Sequence, residues 1–204
     1  MKKVFLFSLI VSFVVLSSTA FAAEKAALGK TNFALKVESI NFTEDLVEDA
    51  DANSGLYVGI EAYSELTDIT PNLYVGVETG YATTDGDLER SGDHYDTEAT
   101  FVPIELNLKY AINASPNLVI DFGFGASYNY AAVEISEPAE GESVDDDDWL
   151  FGAQVFVDLN YKINQFFVGI SAKYQITENY EIGSLETDVR AKNWRIGGQA
   201  GIMF

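Results

Sequence analysis

The chain has no cysteine, one histidine, and only 12 lysines and arginines against 32 aspartates and glutamates. Without thiols there is no disulfide framework, no cysteine metal site and no thiol nucleophile, a composition that suits an exported protein. A single histidine provides no histidine cluster for a metal. The sequence also lacks a glycine-rich phosphate loop and a basic aromatic stripe. A formal charge of −20 argues against nucleic acid as a partner and against simple attraction to anionic head groups. Beyond the N-terminal segment no window approaches the roughly 18 uninterrupted apolar residues of a membrane helix. If the chain lies in a membrane, it must therefore be a closed barrel, the other structure that satisfies its own backbone in lipid.

What is present begins with a secretory signal. Lys2 and Lys3 precede the apolar run Val4–Leu16, and Ala20-Phe21-Ala22 forms a small-x-small cleavage site. The run is too short to span a bilayer. The expected organisation is a signal peptide over residues 1–23 and one β domain over residues 24–204.

Alternating segments then recur, and successive side chains of a strand face opposite ways. Eight strands are expected, at Thr31–Asn41, Gly55–Leu66, Asn72–Thr83, Glu98–Ala111, Asn117–Val133, Trp149–Lys162, Gln165–Thr177 and Ala191–Phe204. Each exceeds the roughly 9–11 residues that cross a bilayer at a tilt. Connections after the second, fourth and sixth are short and rich in Pro and Asn, while the others are long and polar. That sorting matches short periplasmic turns and long extracellular loops, with both termini periplasmic. In the first strand the alternation slips after Glu38, as a bulge would cause.

One face carries Leu56, Val58, Ile60, Ile104, Leu106, Phe122, Phe124, Val155, Val157, Val168 and Ile170; the other mixes charges with glycines such as Gly59, Gly76, Gly80, Gly123 and Gly197. Glycine weakens a solvated sheet but suits a narrow lumen. Tyr81, Tyr128, Tyr130, Trp149, Tyr174 and Trp194 fall near the outer ends, and Tyr110, Tyr161, Phe166 and Phe204 near the inner ends. Two aromatic girdles favour a lipid-facing exterior over the alternative, a secreted barrel with an apolar interior.

The ending WRIGGQAGIMF and the segments FVPIELNLKYAI and WLFGAQVFVDLNYKI resemble the small outer-membrane β-barrel family that includes OmpX-like, opacity-protein-like and OmpA-transmembrane-domain-like proteins. The resemblance implies an all-β, eight-stranded antiparallel up-and-down transmembrane β-barrel, integral to the outer membrane. It also implies that Phe204 is an assembly signal read by the barrel-assembly machinery. Outer-membrane lipid and lipopolysaccharide would be its surroundings.

The expected lumen carries Lys36, Glu38, Glu61, Glu78, Glu105, Lys109, Asp121, Asp158, Lys173 and Arg195, with the amides Asn107, Asn129, Gln154, Asn160, Gln175 and Gln199 among them. Unpaired buried charge is costly, so these groups should pair into a polar plug; the alternative is a narrow, cation-preferring channel. The outer loops are acidic, above all the run Asp145-Asp146-Asp147-Asp148. They read as a solvated, self-repelling surface for an extracellular ligand, or as carboxylates that loosely collect Ca²⁺ or Mg²⁺. An EF-hand is rejected in loop two, since Arg90 stands where the required glycine would be. His94, with Ser91 nearby, is the sole basis for a lipid A-modifying enzyme, and no catalytic residue or resident cofactor is assigned. The expected role is structural or surface-interacting, through the acidic loops.

Overall fold

The period-two pattern is realised as a closed antiparallel barrel. The computed structural model describes residues 26–43, 53–90, 93–137, 142–182 and 185–204. Its staves are β1 (Thr31–Phe42), β2 (Ser54–Glu65), β3 (Leu73–Arg90), β4 (Asp93–Asn113), β5 (Leu118–Glu137), β6 (Glu142–Ile163), β7 (Phe166–Thr177) and β10 (Asn193–Met203). They close in the order β1-β10-β7-β6-β5-β4-β3-β2, each paired with its sequence neighbours in the barrel. Between β7 and β10, the short strands β8 (Asn179–Ile182) and β9 (Leu185–Arg190) pair as a separate two-stranded sheet.

The short turns lie at one end. Asn72 and Asn164 adopt φ of 63° and 57°, the left-handed region that asparagine tolerates and a tight turn requires. The barrel seam closes at the same end: the Phe204 N–H donates to the Thr31 carbonyl at 2.8 Å, and the Lys30 N–H donates to the Phe204 carbonyl at 2.6 Å. The Phe204 ring packs edge-on against Phe33, with centroids 6.1 Å apart.

Outward positions form a broad apolar wall. Leu56, Ile60, Ile104, Leu106, Phe122, Phe124, Val155, Ile170 and Ile196 are all exposed, an arrangement that water would penalise and lipid favours. At its upper edge Tyr128 stacks on Trp149 at 4.7 Å, and Tyr130 leans on the same indole at 5.4 Å.

Two expectations are corrected. Strand β1 contains no bulge: its register with β2 and β10 runs unbroken past Ser39, so Ile40 and Phe42 point inward and are buried. Loops two and three are largely strand, because β3 and β4 continue to Arg90 and Asp93, and β5 and β6 to Glu137 and Glu142. Both differences share one cause. Above the girdle the exterior meets water, so the hydrophobic phase inverts: Ala99, Phe101 and Ala131 are buried inside, while Asp85, Glu98 and Glu134 are exposed outside.

Candidate functional site

Inward-facing side chains of all eight barrel strands fill the lumen in three layers. The middle layer is ionic. Lys36 Nζ lies 3.0 Å from Glu61 and 3.1 Å from Glu78. Lys173 Nζ is 2.7 Å from Glu78 and also contacts Glu105. Arg195 pairs with Glu105 and, at 3.4 Å, with Glu78. Lys109 bridges Glu61 at 3.6 Å and Asp121 at 3.7 Å. Register explains the convergence: Glu61, Glu78 and Glu105 stand directly opposite one another on β2, β3 and β4. Three adjacent carboxylates repel unless cations are threaded between them, and Lys36, Lys173 and Arg195 are those cations.

All ten expected lumen charges are buried, and the network joins eight of them through close ion pairs. Glu38 and Asp158 differ: like Glu61 they accept no hydrogen bond, but unlike it they stand in none of these close ion pairs. With four bases and six acids, the layer carries a formal excess of two negative charges. Amides extend the network. Gln154 Nε2 donates to Asn107 Oδ1 at 2.8 Å, Asn160 Nδ2 to Asp121 Oδ2 at 3.0 Å, Gln199 Nε2 to Asn160 Oδ1 at 2.8 Å, and Gln175 Nε2 to Asn129 Oδ1 at 3.0 Å.

Above and below lie two apolar clusters that the sequence reading missed, set among buried polar side chains such as Asn129 and Asn193 at the outer end and Asn32 at the inner. Ile40, Phe42, Tyr57, Ala82, Phe101, Ala131, Leu150 and Ala191 cluster at the outer end. Ala27, Leu28, Tyr63, Tyr74, Ala111, Val119 and Phe156 cluster toward the turn end. Leu28 belongs to a segment tucked into the barrel mouth, where the Ala27 N–H donates to Asn72 Oδ1 at 2.8 Å and the Leu28 N–H to Tyr74 Oη at 3.1 Å. The aromatics of both layers also cap the ionic layer directly, with Arg195 4.3 Å above the Tyr57 ring and Lys109 Nζ 3.8 Å above the Tyr63 ring.

The inward glycines were the available signal for these rings. A Cβ added at Gly59 or Gly80 would fall about 2.4–2.5 Å from Tyr57 atoms, and one at Gly123 would fall 2.1 Å from Phe156 Cζ. Each ring lies where a neighbouring stave has no side chain. The glycines therefore make room for these rings.

The acidic hairpins have an order of their own. Asp85 pairs with Glu98, Glu98 with Glu134, and Glu134 with Asp145, a transverse row of four carboxylate residues across β3, β4, β5 and β6. Directly opposed residues sit with Cβ atoms about 5 Å apart, where like charges destabilise a sheet. The run Asp145–Asp148 lies on strand β6, and of its four side chains those of Asp147 and Asp148 are described. Asp147 is exposed, and Asp148 Oδ1 accepts from the Trp149 N–H at 2.7 Å. Among the described residues no group of three or more histidine, aspartate or glutamate side chains is placed to hold a metal ion. His94 pairs with Glu89 by register, whereas Ser91, the acids Glu44 to Asp51 and the signal segment 1–23 lie outside the described residues.

A model of the family described as "Outer membrane protein beta-barrel domain" matches residues 8–197. Among solved structures the fold is similar to Neisserial surface protein A, with a TM-score of 0.59 at 13% identity, covering 86% of this chain and 98% of that one. It is also similar to Ail, the attachment invasion locus protein of Yersinia pestis, with a TM-score of 0.52 at 15% identity and coverage of 85% and 99%. Ail in complex with the heparin analogue sucrose octasulfate gives 0.50 at 16% identity, covering 84% and 97%. At such identities the likeness is one of fold. No curated protein sequence matches the chain.

Proposed function

The chain belongs to the outer membrane protein β-barrel family and is integral to the outer membrane, and from that premise we propose that it is a non-conducting, non-enzymatic envelope protein that works through its outer surface. The observation that carries this reading is the stratified lumen. Lys36, Lys109, Asp121 and Arg195 are at most 1% exposed, between two clusters of buried apolar side chains, which supports a plugged lumen. An eight-stranded barrel has an interior that side chains can fill, and here they fill it.

In this reading both termini are periplasmic and the acidic hairpins face outward. Phe204, in the seam, is the assembly signal for the barrel-assembly machinery. Residues 1–23 serve as the cleaved signal peptide. The hairpin surface presents exposed Asp85, Glu98, Glu134 and Asp147, which suits a cationic extracellular ligand. An anionic ligand of the kind bound by Ail would be repelled. A second role follows from the four-residue acidic row: Ca²⁺ or Mg²⁺ would relieve its repulsion and could bridge it to lipopolysaccharide phosphates.

Planar-bilayer recording of the purified protein tests the central point. No reproducible steps are expected. Steady cation-selective conductance that changes in Glu105→Gln or Arg195→Gln would replace this reading with the channel.

A further inference from the structure

We propose that a groove on the lipid-facing wall seats one acyl chain of a periplasmic-leaflet phospholipid. The groove is an open, shallow one of about 990 Å³ and crosses six of the staves. Its upper wall is a register row, Ile104–Thr79–Ile60–Leu35–Ala200–Val168, running through β4, β3, β2, β1, β10 and β7. Its lower wall is the next outward row, Val77–Ala62–Phe33–Ile202–Phe166. Thr79, Ala62 and Ala200 are the small members, and they widen the space that larger side chains would fill.

The dimensions match a lipid chain. Rows two residues apart along a strand are separated by about 7 Å, wide enough to seat a single polymethylene chain and too narrow for a peptide helix about 10 Å across; a strand would leave its backbone N–H and C=O groups unsatisfied in lipid. Five inter-strand steps of about 4.8 Å make the groove about 24 Å long. With staves tilted about 40°, it climbs about 15 Å, half of a hydrocarbon core about 30 Å thick.

The direction of the climb fits as well. Phe166 is the first residue of β7, beside the Asn164–Gln165 turn, while Ile104 lies nine residues above the end of β4. A chain entering at the turn end would reach the bilayer centre at Ile104. A second barrel is the weaker occupant, because two convex walls touch along one or two staves and cannot follow a groove that winds across six.

The leaflet rests on the proposed orientation, with the turns periplasmic, and the experiment separates the two ideas. Protein extracted from membranes in mild detergent is exchanged into fresh detergent and weighed by native mass spectrometry. One phospholipid per barrel is expected to persist. Ala200→Phe and, separately, Ala62→Phe each displace about two methylenes and should lower the retained fraction about tenfold. Both residues are outside the packed lumen, and an unchanged heat-modifiable gel band confirms folding. Ala126→Phe, on the exposed wall away from the groove, should retain the lipid. Absence of lipid, or equal retention in all variants, overturns the groove and leaves the orientation standing. Retention of lipopolysaccharide in place of phospholipid overturns the leaflet, and with it the orientation. Dimers that vanish in Ala200→Phe without any bound lipid would assign the groove to a second copy instead.

Discussion

Replacing Glu105 with glutamine should be among the most damaging isosteric changes in the lumen, and replacing Asp158 with asparagine among the least. Glu105 is contacted by both Arg195 and Lys173, whose other shared carboxylate, Glu78, also serves Lys36. Glutamine preserves volume, so no cavity forms and the loss is electrostatic. Removing one partner from a buried ion pair costs about 3–5 kcal/mol, because the remaining charge is stranded where water cannot reach it. Asp158 lacks any hydrogen-bond partner and faces Asp121 across the β5–β6 ladder, in a layer already carrying excess acid. Its neutralisation should change stability by no more than about 1 kcal/mol. Urea unfolding in detergent micelles, followed by emission of the lipid-facing Trp149 and Trp194, reads both. With a urea slope of about 2 kcal/mol per molar, Glu105→Gln should lower the midpoint by roughly 2 M. Equal small shifts for both variants would mean that water reaches the network, where an ion pair is worth about 0–1 kcal/mol. The sealed-lumen argument would then be wrong.

The closures make a second demand on stability. Gly123→Ala would force a methyl against the Phe156 ring and should cost about 1–3 kcal/mol, visible as a lower urea midpoint, whereas Gly198→Ala, whose nearest neighbour would be 3.7 Å away, should be silent. If both variants match the parent, the aromatic closure is looser than its geometry. For the acidic row, calorimetric titration of nanodisc-embedded protein should detect Ca²⁺ at millimolar concentration, weakened at least severalfold by Glu98→Gln with Glu134→Gln. No heat at that concentration would remove the cation-bridging role.

The lipid-facing wall was legible because one rule holds throughout the bilayer: apolar side chains point outward. Val58, Leu106 and Ile170 follow it, and so do the inward charges, including Glu38 and Asp158, which accept no hydrogen bond. The rule fails where the solvent changes. At Ile40 and Phe42 the pattern inverts above the membrane, and this looked like a slip of register. The same inversion placed the expected ends of β3, β4, β5 and β6 at Thr83, Glu98, Val133 and Trp149, although their pairing continues. The closures were hidden for another reason. Tyr57, Tyr63 and Phe156 sit at inward positions that a polar-lumen reading assigns to charges, and their trace is the glycine beside each ring, on an adjacent stave or, for Gly59, on the same one. The acidic row could not be seen before register was known, because its members come from four separate segments.

The seam between Thr31 and Phe204 has a consequence for biogenesis. The first stave pairs with the last, so the contact that completes the cylinder joins the two ends of the barrel. Such long-range pairings are slow to form, and this one is unavailable until β10 has left the translocation machinery. Until then the chain is an open sheet with two unpaired edges and a face of ionised side chains that lipid would not accept. Insertion must therefore wait for the closing stave β10. A truncation of even the last few residues should leave the protein stranded in the periplasm, vulnerable to proteolysis, with its other seven staves intact in sequence.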